Sequence, residues 1–209
     1  MKKFLAAPVL AGLLALGGCD LFSGPDTETV QNGNLPDKTF WAYNFIGKRY
    51  YQVTAASLAV GQHCIIYKDK NAAADVTAAK ALAQEFDSNM YGLIVDNFGA
   101  PLDVDDNGKI ILLLLDILDG GNKNDGYTAG YFWSGNMYQK SSDSKNTAYY
   151  SNEADMLYID TNPGVVNDES CRSTVVHEMQ HLVNFSAWAA DETKQYTDTW
   201  IDEGLSTAA

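Results

Sequence analysis

The pattern of apolar and polar positions predicts a domain that mixes strands and helices. Strands are predicted at residues 50–60, 63–69, 109–117 and 149–160. The third contains a short, continuous apolar run, which is typical of a strand buried on both faces. Between the second and third strands, residues 75–91 show helical periodicity, with Asp75 as a suitable N-cap. The apolar face of this helix is expected to contain Val76, Ala79, Ala83, Phe86 and Met90.

The N-terminus has the pattern of an export signal. Lys2 and Lys3 precede an apolar run that ends near Leu16 and is too short to span a bilayer comfortably. The following Gly17-Gly18-Cys19 resembles a bacterial lipobox, in which cleavage leaves Cys19 as a lipid-carrying N-terminus. Residues 1–18 would then be a lipoprotein signal peptide, and the exported protein would be anchored to a membrane through Cys19. Ordinary cleavage beside an incidental cysteine is the alternative.

Composition divides the remaining chain into a spacer and one domain. Residues 19–38 are polar and rich in Gly, Pro, Asp, Thr and Asn, which predicts a flexible tether. Residues 39–209 have no internal repeat and suit a single domain with a sizeable core. The formal net charge of −13 makes nucleic acid an unfavourable partner, and it also disfavours adsorption to anionic lipid.

The most informative motif is His177-Glu178-Met179-Gln180-His181. Helical residues four apart share one face, so the imidazoles of His177 and His181 can bind one metal ion. Glu178 is placed to act as general base for a water molecule. Because three fixed positions in five also recur by chance, the motif needs supporting context. The apolar residues around it provide that context, since they predict a buried helix in which unpartnered histidines would be costly.

A catalytic zinc site needs a third protein ligand and leaves one position open. The segment at residues 200–206 offers Glu203, far enough after His181 for a second helix to return to the metal. Its apolar neighbours favour a packed turn over a solvated surface acid. If this segment is helical, Asp202 is expected to point away from the metal.

The runs HEMQHLVNF and WIDEGLS resemble the hyicolysin family of secreted bacterial zinc metallopeptidases, within the glutamate-zincin group. The resemblance extends to residues 130–133 and 156–160, so it covers most of the chain after the leader. It implies zinc as the cofactor, with ligands His177, His181 and Glu203 and with Glu178 as the base. Relatives of this kind usually continue past the position of Ala209. We therefore expect a C-terminal truncation that leaves any donor or specificity pocket in that continuation outside this sequence.

The fold implied by the resemblance is α+β and zincin-like: a mixed β-sheet packs on the active-site helix, and a second helix carries the third ligand. The implied function is zinc-dependent endopeptidase activity on a protein or peptide substrate. In zincins generally, an edge strand pairs with the substrate backbone, and residues 156–159 are the expected strand. An alternative stays open, namely a surface lipoprotein that binds a host or envelope macromolecule and uses zinc only to hold its helices together.

Residue types suggest two further features, a disulfide and a calcium site. Cys64 and Cys171 are the only cysteines after Cys19, so in an oxidising compartment they are expected to form a disulfide; two buried free thiols are the alternative. Residues 103–108 match the first half of a calcium loop, with Asp103, Asp105 and Asn107 as the expected ligands. The second half of the calcium pattern is missing, and a simple turn before the buried strand explains the same residues.

The loop at residues 120–145 is polar but carries several aromatic residues. They are Tyr127, Tyr131, Phe132, Trp133 and Tyr138. Such side chains either line a cleft or pack over the edge of the sheet.

Overall fold

The structure is a computed structural model that describes residues 30–191 and 198–209. Its strands are β1 (Gln31–Asn32), β2 (Lys38–Asn44), β3 (Arg49–Val60), β4 (Cys64–Asp69), β5 (Ile110–Leu115), β6 (Gly130–Phe132) and β7 (Met156–Asp160). Its α-helices are α1 (Val76–Glu85), α2 (Tyr91–Phe98), α3 (Glu169–Ala189) and α4 (Thr199–Ala208). A π-helical turn, Phe86–Met90, joins α1 to α2, and 3-10 turns lie at Ser134–Met137 and Thr147–Tyr150. The expected α+β class is confirmed.

One mixed sheet contains all these strands, in the order β1-β3-β4-β5-β7-β6, with β2 also paired to β3. The strands β4, β5 and β7 run parallel to one another, and the remaining pairs are antiparallel. Every residue of β5 is buried, as its apolar run predicted. Because β7 pairs with both β5 and β6, it has no free edge, and the expectation that it forms the substrate-binding strand is wrong. The edge strand next to α3 is β6.

Each face of the sheet has its own apolar core. On one face, α1, α2 and α3 cover side chains such as Ile66, Leu112 and Leu157. On the other face, β2 crosses the sheet, since the Tyr158 hydroxyl of β7 donates to the Trp41 carbonyl at 2.8 Å although β2 pairs only with β3. Successive side chains of each strand therefore pack alternately into the two cores. The two cores hold β6 and β7 in position from opposite faces of the sheet.

The helix predicted at residues 75–91 is interrupted by the π-helical turn Phe86–Met90. Asp75 is its N-cap, as expected, and accepts from Ala78 N at 2.8 Å. The buried face includes Ala79, Ala83 and Phe86, but Val76 is exposed because the first turn lies at the margin of the core.

The structure describes only part of the N-terminal region. The signal peptide and Cys19 lie outside the described residues. The segment expected to be a tether up to residue 38 contributes β1, in which Gln31 pairs with Val60 and Asn32 with Ala59. Within residues 30–191 and 198–209, no helix has both the length and the apolar character needed to cross a membrane.

Candidate metal centre

Packing of α3 decides where its two histidines point. The helix begins at its N-cap Asp168, whose Oδ1 accepts from Cys171 N at 2.8 Å. One row of its apolar residues is fully buried against the sheet, comprising Val175, Met179 and Leu182. His177 and His181 lie beside this row and are only partly buried. The core contacts therefore hold the helix in an orientation that turns both imidazoles away from the apolar core.

The structure brings His177, His181 and Glu203 together across α3 and α4. The Nε2 atoms of the two histidines lie 3.2 Å apart. The Glu203 carboxylate lies 3.6 Å from His177 Nε2 and 3.8 Å from His181 Nε2. One ligand atom from each residue lies within 4.8 Å of the others.

This donor set fits zinc. Tetrahedral zinc with bonds of about 2.0–2.1 Å separates its ligand atoms by about 3.3 Å, close to the spacing of the two Nε2 atoms. The Glu203 side chain is 58% exposed, so a small rotation can shorten its slightly longer distances. Within the described residues, no fourth histidine, cysteine or carboxylate joins this group. Three protein donors are the number used by catalytic zinc sites, whereas structural sites use four.

Asp202 contacts His181, which sequence reasoning missed. Its Oδ2 lies 2.9 Å from His181 Nδ1, and its Oδ1 accepts from Asn184 Nδ2 at 2.6 Å. Ser206 Oγ lies 3.1 Å from the same Nδ1 and donates to Gln180 Oε1. A carboxylate at Nδ1 favours the tautomer with the proton on Nδ1, which leaves the Nε2 lone pair free for a metal.

The contact between Asp202 and His181 was not predicted because of how α4 packs. The apolar residues around Glu203 suggested an apolar contact face, but Leu205 is exposed. Among residues 201–208 of α4, the buried ones are the polar Asp202 and Ser206. The available signal was their spacing of four, which places both on one face of a helix.

Glu178 is held by the edge strand β6. Its Oε2 accepts from Phe132 N at 2.8 Å. Burial raises the pKa of Glu178, while the nearby imidazoles of His181 and His177 oppose the rise. This contact leaves Oε1 as the oxygen available to take a proton.

Two cavities meet at these residues. One, of about 400 Å³, is bordered by Phe132, Trp133, His181 and Glu203. The other, of about 810 Å³, follows the first half of α3 alongside Gly130. Both cavities are bordered by His177 and Glu178, so the two cavities together form a cleft along the edge of β6. The aromatic residues 131–133 of the polar loop therefore line a cleft, as one of the two readings of that loop expected.

The expected disulfide is absent, and Cys64 and Cys171 are free, buried thiols. Both pack in the apolar core beneath the helices, and burial raises the pKa of both thiols. An even number of cysteines cannot reveal this arrangement, because it contains no information on distance or side-chain direction.

The second acidic group differs from the expected calcium ligands. Asp103 and Asp105 lie together with Asp155, which is remote in sequence. Asn107 Oδ1 accepts from Lys109 N at 2.7 Å, so this side chain closes the turn. Burial raises the pKa of Asp155 to about 7. Three carboxylates in one place are compatible with calcium, which prefers oxygen ligands.

The chain is similar to a curated metalloprotease. It is 34% identical over 138 residues to the neutral metalloprotease ShpI of Staphylococcus hyicus. The match covers 63% of this chain and 30% of the relative, so the chain spans less than a third of that protein. No protein-family model matches the chain.

Proposed function

We propose that the protein is a zinc-dependent endopeptidase with a zincin-like catalytic arrangement. The observation that carries this proposal is the convergence of His177 Nε2, His181 Nε2 and the Glu203 carboxylate beside Glu178. The similarity to a neutral metalloprotease over the segment that the two chains share supports the same class of activity.

The residues divide into a metal-holding set and a proton-transferring residue. His177, His181 and Glu203 would hold zinc, and Asp202 would fix the ring of His181 through Nδ1. Bound zinc supplies Lewis acidity, which lowers the pKa of water toward neutrality and stabilises negative charge on a carbonyl oxygen. Glu178 takes the proton from the attacking water at Oε1 and delivers it to the leaving amine.

The substrate backbone is expected to pair with the outer edge of β6. Asp160 N donates to the Ala129 carbonyl, and Tyr131 pairs with Tyr158, so these residues direct their backbone groups toward β7. Gly130 and Phe132 consequently direct theirs toward the cleft. Phe132 N is already used by Glu178, which leaves the carbonyls of Gly130 and Phe132 and the Gly130 N–H for a peptide. Strand addition of this kind is a common mode of peptide binding.

The test combines zinc content with cleavage of casein by the purified full-length protein. Glu178→Gln keeps an oxygen that can accept from Phe132 N, so it should retain stoichiometric zinc and lose at least a hundredfold in turnover. A chelator should abolish cleavage by the wild-type protein. Cleavage at the wild-type rate by Glu178→Gln would refute the assigned base. Zinc binding without cleavage in any form would instead favour the lipoprotein that binds a macromolecule.

We also propose that the protein is exported and anchored through lipid on Cys19. The support is the sequence of its first 19 residues. Labelled palmitate should be incorporated by the wild-type protein expressed in bacteria and not by Cys19→Ala. Equal labelling of both proteins would rule out Cys19 as the attachment site.

A further inference from the structure

We propose that an aromatic groove beside β6 binds a bulky apolar side chain of the substrate together with an acidic side chain two positions away in the peptide. We use "aromatic groove" for the cavity lined by Tyr43, Phe45, Tyr50, Tyr131, Trp133 and Tyr150. The inference rests on the proposed peptidase function, because it identifies the class of peptide that the cleft selects.

Ring contacts define the walls of the groove. Tyr50 stacks on Tyr150 with centroids 4.2 Å apart, and it also meets Trp133 at 5.0 Å. Phe45 meets Tyr131 edge-on at 5.5 Å. The cavity has a volume of about 650 Å³, which lies in the range of small-molecule sites and accommodates a phenylalanine-sized group.

The groove is continuous with the catalytic cleft through β6. Tyr131, Phe132 and Trp133 line both the aromatic groove and the cavity over the metal ligands. The Phe132 ring points to the α3 side, where it meets Phe185 at 6.0 Å. Tyr131 and Trp133 point to the other side, since Tyr131 stacks on Tyr158 of the second core.

This alternation carries over to a bound peptide. A peptide paired with the edge of β6 would direct successive side chains to opposite faces of the sheet. Side chains opposite Phe132 would face α3, and the neighbouring ones would face the aromatic groove. The groove can therefore select one side chain at a fixed distance from the scissile bond.

The charges that line the aromatic groove indicate which second side chain of the peptide binds there. Lys48 and Arg49 also line the aromatic groove, and both are exposed. No ion pair joins either of them to a carboxylate in residues 30–191 or 198–209. The protein as a whole carries a net charge of −13, so these two adjacent cations form a local exception that attracts an acid. The acid is expected two residues from the side chain in the groove, because that position faces the same side of the sheet.

The test measures peptide binding to the full-length Glu178→Gln protein, which keeps the groove and avoids cleavage. Four labelled, capped octapeptides differ only at two central positions that are separated by one alanine, so that both side chains face the groove. They are named by those two residues: Phe-Glu, Phe-Lys, Ala-Glu and Ala-Lys. Fluorescence anisotropy should rank Phe-Glu as the tightest binder. Replacing Glu by Lys should weaken binding about threefold to tenfold, as expected for two exposed cations near one carboxylate.

Charge reversal at the groove provides the decisive comparison. Lys48→Glu with Arg49→Glu should reverse the preference between Phe-Glu and Phe-Lys. The matched control is Lys70→Glu with Lys80→Glu, which makes the same change in net charge away from the groove and should leave the preference unaltered. Unchanged melting temperatures would show that both double variants fold. An unaltered preference in the groove variant, or equal affinity for all four peptides, would overturn the proposal.

Other outcomes separate this inference from the proposed function. If neutral oligosaccharides bind and the peptides do not, the aromatic groove is a carbohydrate surface and the proposal is wrong. If the peptides rank as expected but the wild-type protein cleaves none of them, the groove is supported and the peptidase function fails. If the wild-type protein cleaves Phe-Glu and Ala-Lys peptides equally well, the peptidase stands and the groove does not contribute to specificity.

Discussion

Asp202 offers the most direct test of how the fold prepares the metal ligands. Asp202→Ala removes the oxygen that lies 2.9 Å from His181 Nδ1, and both side chains are only 12% exposed. Solvent screening of this contact is therefore weak, and a hydrogen bond to a charged group contributes about 1.5–3 kcal/mol. Partners of this type typically change metal affinity by about tenfold to a hundredfold, or about 1.4–2.7 kcal/mol.

The assay is competition for zinc against a chromophoric chelator, which does not depend on catalysis. Asp202→Asn keeps an oxygen that can accept from Nδ1–H but lacks the charge, so its zinc affinity should fall between those of the wild type and Asp202→Ala. Asp198→Ala is the matched control, because it removes an exposed carboxylate at the start of α4 that makes no capping hydrogen bond. If Asp202→Ala binds zinc as tightly as Asp198→Ala, the reasoning about His181 is refuted.

Three further predictions concern the surroundings of the site. In Gly130→Ala, the new Cβ would lie 2.6 Å from Thr174 Cγ2 and 2.9 Å from the Tyr158 carbonyl oxygen, so β6 must move away from Glu178. Thermal denaturation should show a loss of about 1–3 kcal/mol in the free energy of unfolding, and peptide cleavage should be slower. Adding Thr174→Ser should partly restore both stability and cleavage. No recovery would argue against the side-chain clash. The raised pKa of Asp155 means that the folded state binds its proton more tightly than the unfolded state, so this residue lowers stability as pH rises from about 4 to about 7. In calcium-free buffer, Asp155→Asn should therefore gain stability relative to the wild type across that interval, by on the order of 2–4 kcal/mol, whereas a constant difference between the two denaturation curves would contradict the shift. If the carboxylates of Asp103, Asp105 and Asp155 bind calcium, millimolar calcium should raise the wild-type melting temperature at pH 8 and have little effect on Asp155→Asn; no shift in the wild type would remove calcium from consideration.

Local patterns in the sequence predicted the elements that bury or cap their own residues. The apolar run of β5 predicted a strand buried on both faces, because a strand with no polar side must have neighbours on each side. Asp75 predicted the start of α1, because an N-cap depends on contacts within one turn. The spacing of His177 and His181 predicted one shared face for the same reason. Each of these inferences depends on residues that are close in the chain.

Tertiary structure decided what depends on residues far apart. Only the strand order shows that β6 and not β7 has the free edge, because pairing partners are not encoded in the pattern of a single strand. Only the packing of α4 against α3 turns Asp202 toward His181, and only the folded chain brings Asp155 beside Asp103. It also leaves Cys64 and Cys171 as separate thiols in one core. The sequence by itself therefore determined which groups could bind a metal, whereas packing between distant segments determined which groups meet, because those contacts depend on distances and directions that residue spacing does not specify.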